Sequence, residues 1–359
     1  MKKSIRVLGV TTGIIAALAL GGCASADTDA VATVYGTEVT VGEAGLYAVY
    51  QQVQYEQFYS MYLGTTVDWK QEIDGKTMEE QTKESMLEQF KKMQIVASHA
   101  GDYNISVSEE EETKIKEAAK KLVEDNDEKA LKALHISEES AAALFKTYYL
   151  YNKTSEAMVT DVDTNVSDEE AAQKKMSYIK FSLEGTADEN GSTTELTDEQ
   201  KAEIKTQAEN VVSAGAAGME SAVENTDYSV SEATFDEDSD TLEAAVYEAA
   251  NKLKTGEISS VIETKTAYYV VRLDSEFDKD ATEKKKEEIV NNRKTEAFDA
   301  VYEKWEAEEN AFVLNESAWK SIRFKDKITL KTQDTEEVTK DAPTKEAADE
   351  DASESETQE

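Results

Sequence analysis

Hydrophobic and polar positions alternate at the start of the ordered-looking chain. Val31-Ala-Thr-Val-Tyr-Gly36 alternates and turns, and Glu38–Val41 resumes, which predicts a small hairpin or strand-turn pair. Thr40 and Glu43 then stand at capping-box spacing. A helix is expected from about Val41 to Leu63, with Leu46, Tyr47, Tyr50, Val53, Phe58 and Met61 available for a buried face. The next runs from about Thr77 to Ala100 with a broad apolar set, and Gly101 stands where a helix end favours a left-handed residue. Ser108 with Glu111 opens a helix to about Glu124, and Ile136-Ser-Glu-Glu139 opens another to about Met158.

Around Thr160–Asn165 the pattern changes. Lys175–Leu183 reads as a strand, because Met176, Tyr178, Ile179 and Phe181 suit a pleated, half-buried surface. A polar loop, Gly185–Thr197, precedes helices at Asp198–Ala214, Met219–Asn225 and Leu242–Leu253. A turn at Gly256–Ser260 leads into Val261–Glu263 and a strong strand at Ala267–Leu273. The order β-α-α-α-β-β predicts an α+β module of about 100 residues. Asp280–Glu308 is helical again, with Ile289, Ala297, Val301, Tyr302 and Trp305 for burial, and Phe312–Leu330 is mixed. Residues 333–359 hold eleven acids, two lysines and no aromatic, too little apolar surface to offset chain entropy.

The first residues carry a different signal. Lys2, Lys3 and Arg6 precede the uncharged stretch Val7–Leu20, which is shorter than the roughly 20 apolar residues a span requires. This is the pattern of an export signal over residues 1–22. It ends in Leu20-Gly21-Gly22-Cys23, which resembles a lipobox. Cleavage there leaves Cys23 at the mature N-terminus with a diacylglyceryl group, and residues 23–30 become a lipid-anchored tether. Each buried acyl methylene contributes about 0.8 kcal/mol, so two or three chains hold durably. Cys23 is the only cysteine, so there is no internal disulfide to form.

Charge and residue supply narrow the classes. Loss of the leader takes the formal charge from −37 to −40, which excludes general nucleic-acid binding. Pro343 is the only proline, so helices run unbroken. His99 and His135 are the only imidazoles; both are read as solvent-facing or capping residues in helical context. A His/Cys metal site is excluded, and no cofactor is expected.

Val31-Ala-Thr-Val-Tyr-Gly-Thr-Glu-Val-Thr40 resembles the opening of PrsA-type and SurA-type extracytoplasmic foldases, with Tyr35 where those carry Asn. Lys175–Ser275 resembles a parvulin-type peptidyl-prolyl isomerase. The matching stretches are Leu253-Lys-Thr-Gly-Glu-Ile-Ser-Ser260 and Tyr268-Tyr-Val-Val-Arg-Leu273. The resemblance implies an α+β protein in which a mainly helical chaperone domain, built from both flanks of the chain, carries an inserted parvulin-like domain. Its segments are residues 31–170 and 277–332 for the chaperone domain, 171–276 for the isomerase and 333–359 for an acidic tail. It also implies an extracytoplasmic, membrane-attached location. The implied partners are unfolded exported polypeptides and Xaa-Pro segments, with a homodimer left open.

The polar chemistry of a parvulin is replaced. The resemblance sets Tyr178 and Tyr269 at the two His positions and Ser231 near the Cys or Asp position. Leu242, Val246 and Asn251 fall at the walls of the proline pocket, the last where an aromatic is usual. Two readings stand. Either the tyrosines act as neutral hydroxyl donors, given a pKa near 10, or the module is a retired isomerase kept as a folded surface. The tyrosine-rich helix, with Tyr47, Tyr50, Tyr55, Tyr59 and Tyr62, lines a crevice for unfolded chains or packs a core. A surface lipoprotein using the same fold purely as a binding module is the remaining alternative.

Overall fold

The computed structural model describes residues 30–187 and 193–324. The expected export signal, Cys23 and all but the last residue of the expected tether, part of the polar loop and the acidic tail lie outside the described residues.

Strands β1 (Ala30–Val34) and β2 (Thr37–Thr40) form a hairpin, followed by α1 (Val41–Tyr62). A two-stranded hairpin, β3 (Glu72–Ile73) and β4 (Lys76–Thr77), leads to α2 (Met78–Ser98). Helices α3 (Glu109–Glu124), α4 (Glu128–Ala133) and α5 (Glu138–Met158) complete the first stretch. Next come β5 (Lys174–Ser182), a short pair β6 (Thr186–Ala187) and β7 (Thr193–Thr194), then α6 (Asp198–Ala214) and α7 (Met219–Val223). Strand β8 (Ser231–Phe235), helix α8 (Ala244–Ala250), β9 (Ile262–Glu263) and β10 (Ala267–Ser275) follow. The described residues end with α9 (Lys279–Glu306), β11 (Val313–Leu314) and α10 (Glu316–Ser321).

Two compact units result: among described residues, 30–160 with 298–324 form the first and 161–297 the second. The fold is therefore α+β, with a mainly helical unit made from both flanks and an inserted unit containing a small antiparallel sheet. No described helix is long and apolar enough to cross a membrane.

Helix starts in the first unit follow local chemistry. The side chains of Thr40, Thr77 and Ser108 accept from the backbone N–H of Glu43, Glu80 and Glu111, whose carboxylates accept in return. Ser137 forms the equivalent box with Ser140, not with an acid. Gly101 does not take the left-handed role; the chain continues through a 3-10 turn, Ala100–Tyr103, and Asn104 adopts φ 59°. The sheet runs β11-β1-β2, so the last strand pairs with the first, Ala32 opposite Leu314. One core joins Val31, Leu46, Phe90, Ile95 and Leu144 with Tyr302, Trp319 and Ile322 from the returning segment.

His99 is not solvent-facing. It is the C-cap of α2, and its ring stacks on Trp305 with centroids 4.0 Å apart. Its Nε2 lies 3.0 Å from the Tyr35 hydroxyl, which donates to the Trp305 carbonyl at 2.9 Å. This clasp holds Tyr35 at φ 49° in the two-residue turn before Gly36, a conformation that bulky residues rarely adopt.

In the second unit the sheet order is β8-β5-β10-β9, all antiparallel. The expected β-α-α-α-β-β order lacked β8. Side chains alternate between two buried faces. Met176, Phe235, Tyr269, Val271 and Leu273 pack with Val246, Tyr247 and Ala250 of α8. Ile179, Phe181, Tyr268 and Val270 pack with Ala208 and Val211 of α6 and Met219 and Val223 of α7.

Candidate functional site

Antiparallel pairing brings the three residues singled out for catalysis together. Tyr178 on β5 lies opposite Ser231 on one side and Val271 on the other. Its ring is 6.3 Å from that of Tyr269, centroid to centroid. Ser231, which falls between the expected helices Met219–Asn225 and Leu242–Leu253, opens strand β8. Its segment alternates exposed Glu232 and Thr234 with more buried neighbours, and cross-strand pairing with β5 makes it a strand.

Tyr269 does not offer a free hydroxyl. Its side chain is 1% exposed and donates to Glu243 Oε2 at 2.6 Å. The other carboxylate oxygen accepts from Thr266 at 2.6 Å and lies 3.0 Å from the Thr264 hydroxyl. Burial alone would raise the Glu243 carboxyl, but these donors outweigh it and hold the pKa at about 2. Burial and the carboxylate push the Tyr269 hydroxyl well above its ordinary value. The pair is therefore a tyrosine that stays protonated beside a saturated carboxylate. Neither group changes charge near neutrality.

Glu243 escaped the sequence reading because its partners lie at least 21 residues away, across the turn before β10. Two threonines spaced around Lys265 carry no signal of their own. Two of the expected pocket walls share one apolar cluster: Leu242 packs against the cluster that holds Val246 and Tyr269, and Tyr178 joins it. Val246 is 0% exposed within the core. Leu242 precedes α8, where its N–H donates to the Tyr247 hydroxyl at 3.0 Å. Asn251 caps the other end of α8 and accepts from Lys174 Nζ at 2.8 Å.

In the first unit, helices α1, α2 and α5 enclose a groove of about 550 Å³. Tyr47 and Tyr55 from α1 and Tyr148 and Tyr151 from α5 line it, with Met78, Met86 and Met93 from α2 and the amides of Gln51, Gln81 and Gln89. The rings of Tyr47 and Tyr148 lie 6.4 Å apart. Burial raises the pKa of Tyr47, Tyr148 and Tyr151, so their hydroxyls remain neutral donors. Beyond Tyr55 the last turns of α1 open large apolar side chains to solvent, with Met61 78% and Tyr62 73% exposed. There Tyr55 stacks on Tyr59 at 5.3 Å, and Phe58 meets Tyr62 at 4.9 Å. Scattered exposed apolar residues are ordinary, but a contiguous aromatic ladder is a mark of an interaction surface.

Among solved structures, the chain is similar to a foldase protein, PrsA, from Lactococcus lactis: 19% identity, 82% of this chain and 98% of that one covered, TM-score 0.32. A peptidylprolyl isomerase, PrsA, from Bacillus cereus matches at 15% identity, covering 74% and 92%, with TM-score 0.28. PrsA from Bacillus subtilis matches at 16% identity, covering 76% and 88%, with TM-score 0.18. No protein-family model and no curated protein sequence matches the chain.

Proposed function

We propose that this protein is an extracytoplasmic chaperone for exported polypeptides, tethered to the membrane through lipid on Cys23. In this reading the parvulin-like module is a folded scaffold without strong isomerase activity. The observation that carries the reading is the groove between α1, α2 and α5. Tyrosine gives it apolar area with a polar tip, and methionine gives it walls that adapt to different shapes. Such a surface binds many unfolded segments weakly rather than one ligand tightly. The exposed ladder from Tyr55 to Tyr62 extends the same chemistry along α1. The buried, carboxylate-bound Tyr269 supports the scaffold reading of the module.

Aggregation of a chemically unfolded client, followed by light scattering, tests the chaperone reading. Substoichiometric to equimolar protein should suppress it, and a Tyr55→Ala/Tyr148→Ala variant should suppress it several-fold less. Full suppression by that variant would remove the groove from the function. For the module, NMR exchange on a short Xaa-Pro peptide should stay at the spontaneous rate. Catalysis lost in a Tyr178→Phe/Tyr269→Phe variant would instead make the tyrosines the isomerase site.

A further inference from the structure

A second cavity of the first unit, about 800 Å³, has a strand edge for a wall. Thr37, Glu38, Val39 and Thr40 all line it. Successive side chains of a strand point to opposite faces, so four consecutive lining residues mean that the edge of β2 faces the space. In the sheet order β11-β1-β2 that edge is paired with no strand among the described residues. The opposite wall is α5, through Ala143 and Thr147, and the end of α2 contributes Gln94.

The turn fixes which backbone groups the edge offers. Val34 and Thr37 flank the two-residue turn as a hydrogen-bonded pair. The next pair, Thr33 and Glu38, is then non-hydrogen-bonded, and the N–H and C=O of Glu38 point away from β1. The N–H of Thr40 is already taken by the Glu43 carboxylate at 2.7 Å. Independently, Gln94 is 7% exposed, lines the cavity, and its Nε2 has no hydrogen-bond partner. A buried donor without an acceptor is unfavourable, and an incoming acceptor relieves it.

We infer that this cavity is a strand-addition site, in which an extended client segment pairs with the free edge of β2 and gives a backbone carbonyl to Gln94 Nε2. Main-chain pairing supplies affinity without demanding a sequence, which suits varied unfolded chains. Glu38, Glu43 and Glu139 outnumber Lys146 in the lining, so the segment that fits is neutral or basic. The inference rests on the chaperone reading and places a second contact beside the aromatic groove.

The test uses the full chain and a fluorescein-labelled hexapeptide of alternating Val and Thr between two lysines, with binding read by anisotropy. Glu38→Pro removes the outward N–H but leaves the pairing with β1, and should weaken binding at least about tenfold. Glu38→Gln keeps the backbone and should bind within about twofold of the parent. Gln94→Leu should weaken binding about threefold to tenfold, the worth of one hydrogen bond, which keeps the test sound if the proline variant does not fold. Unchanged binding by folded Glu38→Pro and Gln94→Leu would overturn the site while leaving client protection, measured separately, in force. Failure of both peptide binding and client protection would sink the chaperone reading along with it. A dimer that dissociates in Glu38→Pro, with no peptide bound by the parent, would assign the edge to a second copy and overturn the client site.

Discussion

The Tyr269 hydroxyl donates to the Glu243 carboxylate at 2.6 Å, tying the central strand β10 to the N-cap of α8. The folded pKa of Glu243, about 2, lies below its ordinary 4.5. Its stabilising contribution is therefore present above pH 4.5 and lost as pH falls toward 2. Glu243→Gln should lower stability by about 1–2 kcal/mol at pH 7, after allowance for solvent screening. Urea melts at a series of pH values should show that gap closing between pH 4.5 and 2. A gap independent of pH would mean the hydroxyl cluster does not depend on the charge.

Tyr35→Phe should destabilise the first unit by about 1–2 kcal/mol, although it leaves ring packing against His99 untouched. The lost hydroxyl bonds both the Trp305 carbonyl and His99 Nε2. Chemical denaturation followed by tryptophan fluorescence reads the loss directly, since Trp305 forms the stack.

Gly42→Ala should cost at least about 2 kcal/mol. A Cβ there would meet the backbone carbonyl oxygen of His135 at 2.2 Å and Ser140 Oγ at 2.8 Å, and a carbonyl has little freedom to move. Gly36→Ala meets open space and feels only its φ of 82°, so about 1–2 kcal/mol is expected. Comparing the two by thermal melts separates close packing from backbone conformation.

Lys83 is 7% exposed and donates to the carbonyls of Trp319 at 3.1 Å and Ile322 at 2.5 Å, satisfying the end of α10. Burial lowers its pKa. Lys83→Met keeps the packing and removes the donors, and should destabilise by about 1–3 kcal/mol. Amide hydrogen exchange should rise first in residues 316–322.

What was readable in the sequence was local. The boxes at Thr40 and Ser108 lie within one turn of the groups they bond, so spacing alone reveals them, while at Ser137 it marks the helix start but not the partner, Ser140. The Tyr178, Ser231 and Tyr269 grouping came from a resemblance, and strand pairing places the three near one another. The bond from Glu243 to Tyr269 was not readable, because a carboxylate before a helix also caps, pairs or faces water. Neither was the burial of His99, whose stacking partner belongs to the far end of the chain. Strand β8 carries Glu232 and Thr234 on its exposed positions and owes its form to its neighbour β5.

The pairing of β11 with β1 sets an order of events in time. The first unit cannot close its sheet or seat Trp319 against Phe90 until nearly the whole polypeptide has emerged, because its last strand lies beyond the inserted unit. The second unit is one unbroken stretch and is able to assemble earlier. Contacts this distant in sequence slow assembly. Half-made, the first unit leaves the β1 edge unpaired and Phe90 without Trp319, so the hydrogen bonds and apolar contacts of its own last segment are the ones a neighbouring chain would compete for.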